Sequence, residues 1–228
     1  NLEKKLYKII SSELSDLVNL NKTNFKNSYV RALSYQLYEN NGVVKRESVN
    51  DMIKNISKED RFNLRKAGIK IGRYHIFLPK MLKPSAVELR VKLWKLYFPS
   101  DRINNIPKYG LNFLNEKISE NSNFLLICGY ENFNKFYVRV DILERLFLKI
   151  IENNKNNMFK IDSDMINLIG CTKENFFKLL KLMEYYPKKD KDEFFVYKPK
   201  FTKNKINKNS KKLSKNNPFS KLSELRFT

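Results

Sequence analysis

Glycine, histidine and cysteine are all scarce in this 228-residue chain, and each scarcity removes a kind of chemistry. The six glycines are Gly42, Gly68, Gly72, Gly110, Gly129 and Gly170, and none is followed by Lys and then Ser or Thr. The G-x-x-x-x-G-K-[ST] loop, whose backbone amides hold nucleotide phosphates, is therefore missing. The closest glycine pair, Gly68 and Gly72, suits a bend better than a phosphate cradle. With His75 as the sole histidine, a catalytic triad or histidine metal cluster would have to be built on that one residue. A structural or surface histidine is the simpler reading. Cys128 and Cys171 lie in unrelated contexts, without a second ligand at metal spacing, which argues against a disulfide framework and a zinc site and points to a reducing compartment. No run approaches the roughly 18 to 20 apolar residues that cross a bilayer. The opening residues Asn1 to Lys5 lead into no signal-peptide core. A soluble, cytoplasmic protein with no membrane partner, metal or cofactor of its own is expected.

Acidic residues are also few: 24 Asp and Glu face 45 Lys and Arg, a formal net charge of +21. A surface of that sign attracts phosphate backbones by releasing condensed counterions. Lysine outnumbers arginine 35 to 10, and Asn and Ile are abundant, a composition that an AT-rich genome imposes on any protein. Such a bias enriches lysine without requiring acids to be so few. Part of the excess sits in the tail, because residues 187–228 carry 13 basic and 4 acidic side chains, or +9, leaving +12 for the rest.

What is present is mostly helical patterning. Leu2, Leu6, Ile9, Ile10, Leu14, Leu17 and Val18 recur at spacings of three and four and predict one helix. A second, over about Asn27 to Tyr38, brings Tyr29, Val30, Leu33, Leu37 and Tyr38 together and stops at Asn40-Asn41-Gly42. A third runs from about Ser48 to Ile56. Ser57, with Asp60 three residues on, caps a short fourth helix ending near Ala67-Gly68. Ile69 to Leu78 favours extended structure with Gly72 as a bend. Lys83-Pro84-Ser85 opens a helix to about Phe98, whose stripe of Val87, Val91, Trp94 and Tyr97 reads as core rather than as a base-stacking platform. Ser100 to Ser122, with many Asn, Pro107 and Gly110, reads as a boundary.

The second half carries the most informative pattern. Phe136 to Val140 predicts a strand, and Asp141 with Glu144 a D-x-x-E helix start. Asp162 or Ser163 caps a short helix, Gly170-Cys171-Thr172 makes a tight turn, and Thr172 caps a longer helix to about Tyr185. Two helices joined by such a turn are a helix-turn-helix, and the Tyr185 to Tyr197 stretch around a charged turn reads as a hairpin wing. Residues of about 136–199 thus predict a winged helix. At 100 degrees per residue, Phe176, Leu179, Leu180 and Met183 face the core, while Glu174, Lys178, Lys181 and Tyr185 face away. Lys178, Lys181 and Tyr185, with Lys188, Lys189 and Lys191 at the wing, are the candidate nucleic-acid contacts. A Glu174–Lys178 pair could equally just solvate that face, and no Arg, Asn or Gln suits bidentate base reading. The paired acids Asp162 and Asp164, and Asp190 and Asp192, fall in caps and turns. From Lys198 the chain is Lys and Asn with few apolar residues, a composition expected to stay disordered.

Several stretches resemble the C-terminal region of alphaproteobacterial helicase-related proteins, superfamily-two enzymes similar to the mitochondrial degradosome RNA helicase. They are the run from Ala67 through Gly72-Arg73-Tyr74-His75 to Pro79, then Leu82-Lys83-Pro84, Leu93-Trp94, Cys128-Gly129-Tyr130, Val138 to Leu146, Leu168 to Thr172 and the terminal Pro218-Phe219, in matching order. The resemblance covers about residues 25–186 plus the extreme tail. It implies a parent with two upstream RecA-like domains that use ATP and Mg to move on RNA or DNA, with this chain as the accessory part behind them. None of the family's ATPase motifs is present, so no ATPase residue carries over and whether the chain itself is an enzyme stays open. The chain also starts without Met, inside what reads as a charged helix, as a fragment or processed product would.

The expected architecture is mainly α with short β elements: a helical subdomain over 1–122 with a β segment near 69–78, a winged-helix-like unit over 123–199, and a disordered Lys/Asn-rich tail over 200–228. The expected function is the accessory C-terminal part of an ATP-dependent helicase, binding RNA or single-stranded DNA without sequence preference. The alternative is a winged-helix module that docks on a RecA-like helicase core or another protein, and a free-standing DNA-binding regulator is a third reading.

Overall fold

The computed structural model describes residues 2–99, 106–116, 121–188 and 191–199. The apolar repeat at the start forms two helices, α1 (Leu2–Glu13) and α2 (Ser15–Lys22), with a break at Leu14. Asn27 accepts a hydrogen bond from the Tyr29 amide and so starts α3 (Ser28–Glu39). Asn41 (φ 55°) and Gly42 (φ 89°) end it and turn the chain into β1 (Val43–Lys45). A short 3-10 turn leads into α4 (Asn50–Lys54). The Ser57 hydroxyl, accepting from the Asp60 amide, starts α5 (Lys58–Lys66), and β2 (Lys70–Ile71) and β3 (His75–Phe77) follow around Gly72. After a second 3-10 turn comes α6 (Pro84–Tyr97). Next along the chain are β4 (Phe113–Leu114), α7 (Ser122–Ile127), β5 (Tyr130–Phe133), β6 (Phe136–Arg139) and α8 (Val140–Glu152). The last described elements are β7 (Asn154–Lys155), β8 (Met158–Lys160), α9 (Ser163–Ile169), α10 (Lys173–Leu182), β9 (Tyr185–Lys188) and β10 (Lys191–Tyr197). Helices dominate, and every strand pairing is antiparallel. Among the described residues no helix is long and apolar enough to cross a membrane.

The same connectivity occurs twice. In the first half α3, β1, α4, α5, β2 and β3 follow one another, and the sheet order is β1-β3-β2. In the second, α8, β8, α9, α10, β9 and β10 do so, and the order is β8-β10-β9, with β7 added at the edge. Each sheet closes a three-helix core. Leu33, Leu37, Leu64 and Ile76 fill the first, and Leu143, Leu146, Met165, Phe176 and Leu180 the second, all excluded from solvent. A third core of Val87, Val91, Phe124 and Tyr130 joins α6 to α7 and the β4-β6-β5 sheet. Arg90 crosses this region fully buried and donates to the carbonyls of Asn41 and Met81, fastening the end of α3 to the turn before α6.

Several expectations change here. Between α8 and α9 the chain forms the strands β7 and β8, for which no strand was expected: Asn156 (φ 54°) and Asn157 (φ 60°) form a two-residue hairpin turn of the kind that needs both centres left-handed. Tyr97 leaves the core stripe and is 79% exposed, because α6 runs on past the elements that cover Val87 and Val91. Glu144 does not cap α8. Its carboxylate accepts hydrogen bonds from the backbone amides of Arg73 (2.6 Å), Tyr74 (2.8 Å) and His75 (2.8 Å), across the chain. The expected disordered tail of 200–228 lies outside the described residues.

Gly72 is required by that contact, since a Cβ at residue 72 would overlap the Glu144 carboxylate. Glu144→Ala strands three amide donors, and a loss of about 3 kcal/mol in urea unfolding is expected. Gly72→Ala is expected to cost about 2 kcal/mol through the clash. The double variant should fall clearly short of the sum, because removing the carboxylate makes room for the methyl group; strict additivity would refute the contact.

Candidate nucleic-acid interface

Asp162 and Thr172 start α9 and α10 by accepting from the amides of Asp164 and Asn175, and Gly170 (φ 75°) supplies the left-handed turn between them. This places Phe176, Leu179 and Leu180 inward and leaves Lys178 and Lys181 exposed, one turn apart on the outer face. Among the described residues neither lysine pairs with a carboxylate, and the Glu174–Lys178 pair does not form. Lys188 is exposed at the end of β9, and Lys191 opens β10 opposite it in register. Lys189 lies outside the described residues. The described cations of this face are lysines, compact point charges suited to phosphate rather than to the fork-shaped reading of base edges.

Tyr185 does not join them. The helix ends at Leu182, and Glu184 adopts a left-handed conformation (φ 68°) that redirects the chain before β9. The ring turns inward, 5% exposed, edge-on to Phe159 at 5.4 Å and 5.3 Å from Tyr197. Burial raises the pKa of its phenol. A helical projection carried three residues too far put it on the outer face.

A second polar constellation went unread in the sequence. His75, 1% exposed, shares a hydrogen bond of 2.7 Å between its Nε2 and Glu131, whose other oxygen accepts from Lys45 at 2.6 Å. The imidazole Nδ1 stands 3.7 Å from Glu144. Arg46 and Arg73 line the adjoining cleft of about 330 Å³. Burial works against the imidazolium, but the hydrogen bond to Glu131 and the two carboxylate charges outweigh it and hold the His75 pKa above its ordinary value. Burial likewise works against both carboxylates; the His75 bond and Lys45 for Glu131, and the nearby imidazole with the three amides for Glu144, hold both below the usual glutamate value. All four carboxylate oxygens already accept hydrogen bonds, so the cluster's chemistry is a clamp between β3, β5 and α8. These partners lie 56 and 69 residues from His75. The available signal was Glu144 itself, four residues after buried Val140 on the apolar side of α8. Among the described residues no group of three or more His, Cys, Asp or Glu is placed to hold a metal ion.

No family model matches the chain, and no curated protein or solved structure matches it.

The clamp has a pH optimum. His75, with its pKa raised on folding, contributes fully below 6.5 and loses its contribution as pH rises through the folded value. Glu131 and Glu144, with theirs lowered, contribute fully above 4.5 and lose it as pH falls through the folded values. Denaturation midpoints measured from pH 3 to about 9 should therefore peak between 4.5 and 6.5. His75→Gln should remove the alkaline decline and keep the acid one.

Proposed function

We propose that this chain is an accessory nucleic-acid-binding part of a larger ATP-dependent helicase, gripping RNA or single-stranded DNA through its phosphates without reading sequence. The observation that carries the reading is the outer face of α10, where Lys178 and Lys181 stand exposed, without a carboxylate partner among the described residues, on the second of two helices joined at Gly170 and followed by the β9–β10 hairpin. We read the α8-β7-β8-α9-α10-β9-β10 order, with its β7-β8-β10-β9 sheet, as a winged-helix-like arrangement, and that reading supports this use. The formal charge of +21 adds long-range attraction to any polyphosphate. The helicase setting rests on the resemblance of the 67–84 block and the later stretches, and it includes a cytoplasmic location, a RecA-like core as partner, and ATP and Mg bound by that core. It is tested by reading the gene upstream of residue 1 for a P-loop in frame.

A docking role for the same unit is favoured by one feature: Leu148 and Ile151 lie half exposed on α8, an apolar pair a protein partner would cover. Binding of labelled oligouridine and oligothymidine to the full chain separates the two. Nucleic-acid binding should be indifferent to sequence, should weaken steeply between low and high salt, and should fall about tenfold on Lys178→Glu/Lys181→Glu. Affinity untouched by that charge reversal would transfer the face to protein docking, and tight binding insensitive to salt would overturn the phosphate mechanism.

A further inference from the structure

The repeated connectivity puts α5 in the first half where α10 stands in the second: each is the second helix after its sheet's first strand, and each is followed by a hairpin. The cations on α5 were not among the contacts expected from sequence. A cleft of about 620 Å³ opens between α5 and the β2–β3 hairpin, lined by Arg46, Arg61, Arg65 and Lys70, with Ile69 and Ile71 as its apolar floor. Among the described residues no acidic side chain lines it, and none of the four cations pairs with a carboxylate.

Two of the four are pinned to carbonyls outside α5, and Arg65 donates to the Arg61 carbonyl within it (3.4 Å). Arg61 donates to the carbonyls of Ile53 (3.1 Å) and Ile56 (3.4 Å) at the end of α4, and Arg46 donates to the Gly72 carbonyl (2.7 Å) at the hairpin turn. Their charges are therefore held at the cleft without ordering cost on binding. Arg65 is exposed and Lys70 half-buried. On the outer side of α5, Phe62 is 51% exposed, one turn from Arg65, with the Lys66 ammonium 4.7 Å from its ring centroid. Guanidinium groups around a cleft with an exposed aromatic ring beside them are what a single strand needs, since phosphates take the cations and an unstacked base takes the ring. A duplex keeps its bases stacked and would use only the cations.

We infer that this cleft is a second nucleic-acid contact, which seats the backbone of a single strand between Arg65 and Lys70 and stacks one base on Phe62. The inference rests on the nucleic-acid reading of the chain and moves part of the binding to its first half, so that one strand can be held at α5 and at α10. Arginine dominates here, while lysine provides the described cations of the α10 face. The α5 contact is therefore the more directional of the two, able to fix the path of the phosphates rather than only attract them.

The test compares full-length variants by fluorescence anisotropy with labelled oligouridine, oligothymidine and a duplex of equal length. Arg65→Gln/Lys70→Gln spares the two pinned arginines, and Lys4→Gln/Lys8→Gln removes the same charge from exposed positions of α1 outside the cleft. Matching thermal midpoints establish that each variant is folded. The cleft pair should weaken single-strand binding about tenfold and lower the slope of log affinity against log salt by about 1.4, while the α1 pair changes affinity less than about twofold. Phe62→Ala should weaken single-strand binding about fivefold or more and leave duplex binding unchanged. Equal losses for the cleft and α1 pairs, or equal losses for single strand and duplex on Phe62→Ala, would overturn the site. Binding that survives the cleft variants but is lost with Lys178→Glu/Lys181→Glu would overturn the second contact alone. Absence of any binding by the parent chain would overturn the nucleic-acid reading with it.

Discussion

The carboxylate of Glu144 receives three consecutive amide N–H groups from the turn at 73–75, and much of the architecture hangs on that contact. A hairpin turn that points three donors inward needs an acceptor there, because buried amides without partners are costly. A buried carboxylate in turn needs donors and countercharge. Each half of the chain supplies what the other lacks. His75 and Glu131 extend the join sideways, and Val140 packs with Val43 and Phe77 behind it. The β2–β3 hairpin is consequently set at a fixed angle over the cleft that α5 lines, so the placement of Lys70 and Arg46 beside Arg65 depends on a glutamate 71 residues beyond Arg73.

Much of the local structure was legible in the sequence, because it is written in local chemistry. The caps at Ser57, Asp162 and Thr172, the proline start of α6 and the left-handed glycine at 170 lie within a few residues of what they organise. What escaped was non-local or ambiguous by period. Asp141 and Glu144 have capping spacing, yet Asp141 binds Arg139 and Glu144 reaches another element. No pattern around His75 betrays carboxylates that arrive from two distant elements. At the candidate interface, Lys178 and Lys181 were readable from helical periodicity, while Tyr185 was not, since the helix stops before it. The repeated connectivity is not repeated cap for cap: Asn27 starts α3 while α8 has no side-chain cap, Asp162 starts α9 while α4 has none, and only Ser57 on α5 and Thr172 on α10 correspond.

Charge is distributed unevenly between these halves in kind as well as in amount. On the α10 face the described cations are long, freely rotating lysines, able to follow a phosphate chain in many registers. Around α5 the cations are largely arginines, with Arg46, Arg61 and Arg65 each donating to a backbone carbonyl, and an aromatic ring stands beside them. A diffuse grip and a directional one on the same chain divide labour in a way that total charge conceals.

The shortage of glycine noted at the outset has a counterpart in the turns. Of the five non-glycine residues with positive φ among those described, four are asparagines: Asn41, Asn134, Asn156 and Asn157. Asparagine tolerates the left-handed region through local hydrogen bonding, though less easily than glycine. These turns therefore carry a local conformational cost that glycine would avoid, and the pairing of the strands they join has to offset it. The hairpins β5–β6 and β7–β8 thus have their direction set by a single side-chain type at the bend, so a change of one turn residue alters how readily the two strands meet without touching any strand contact.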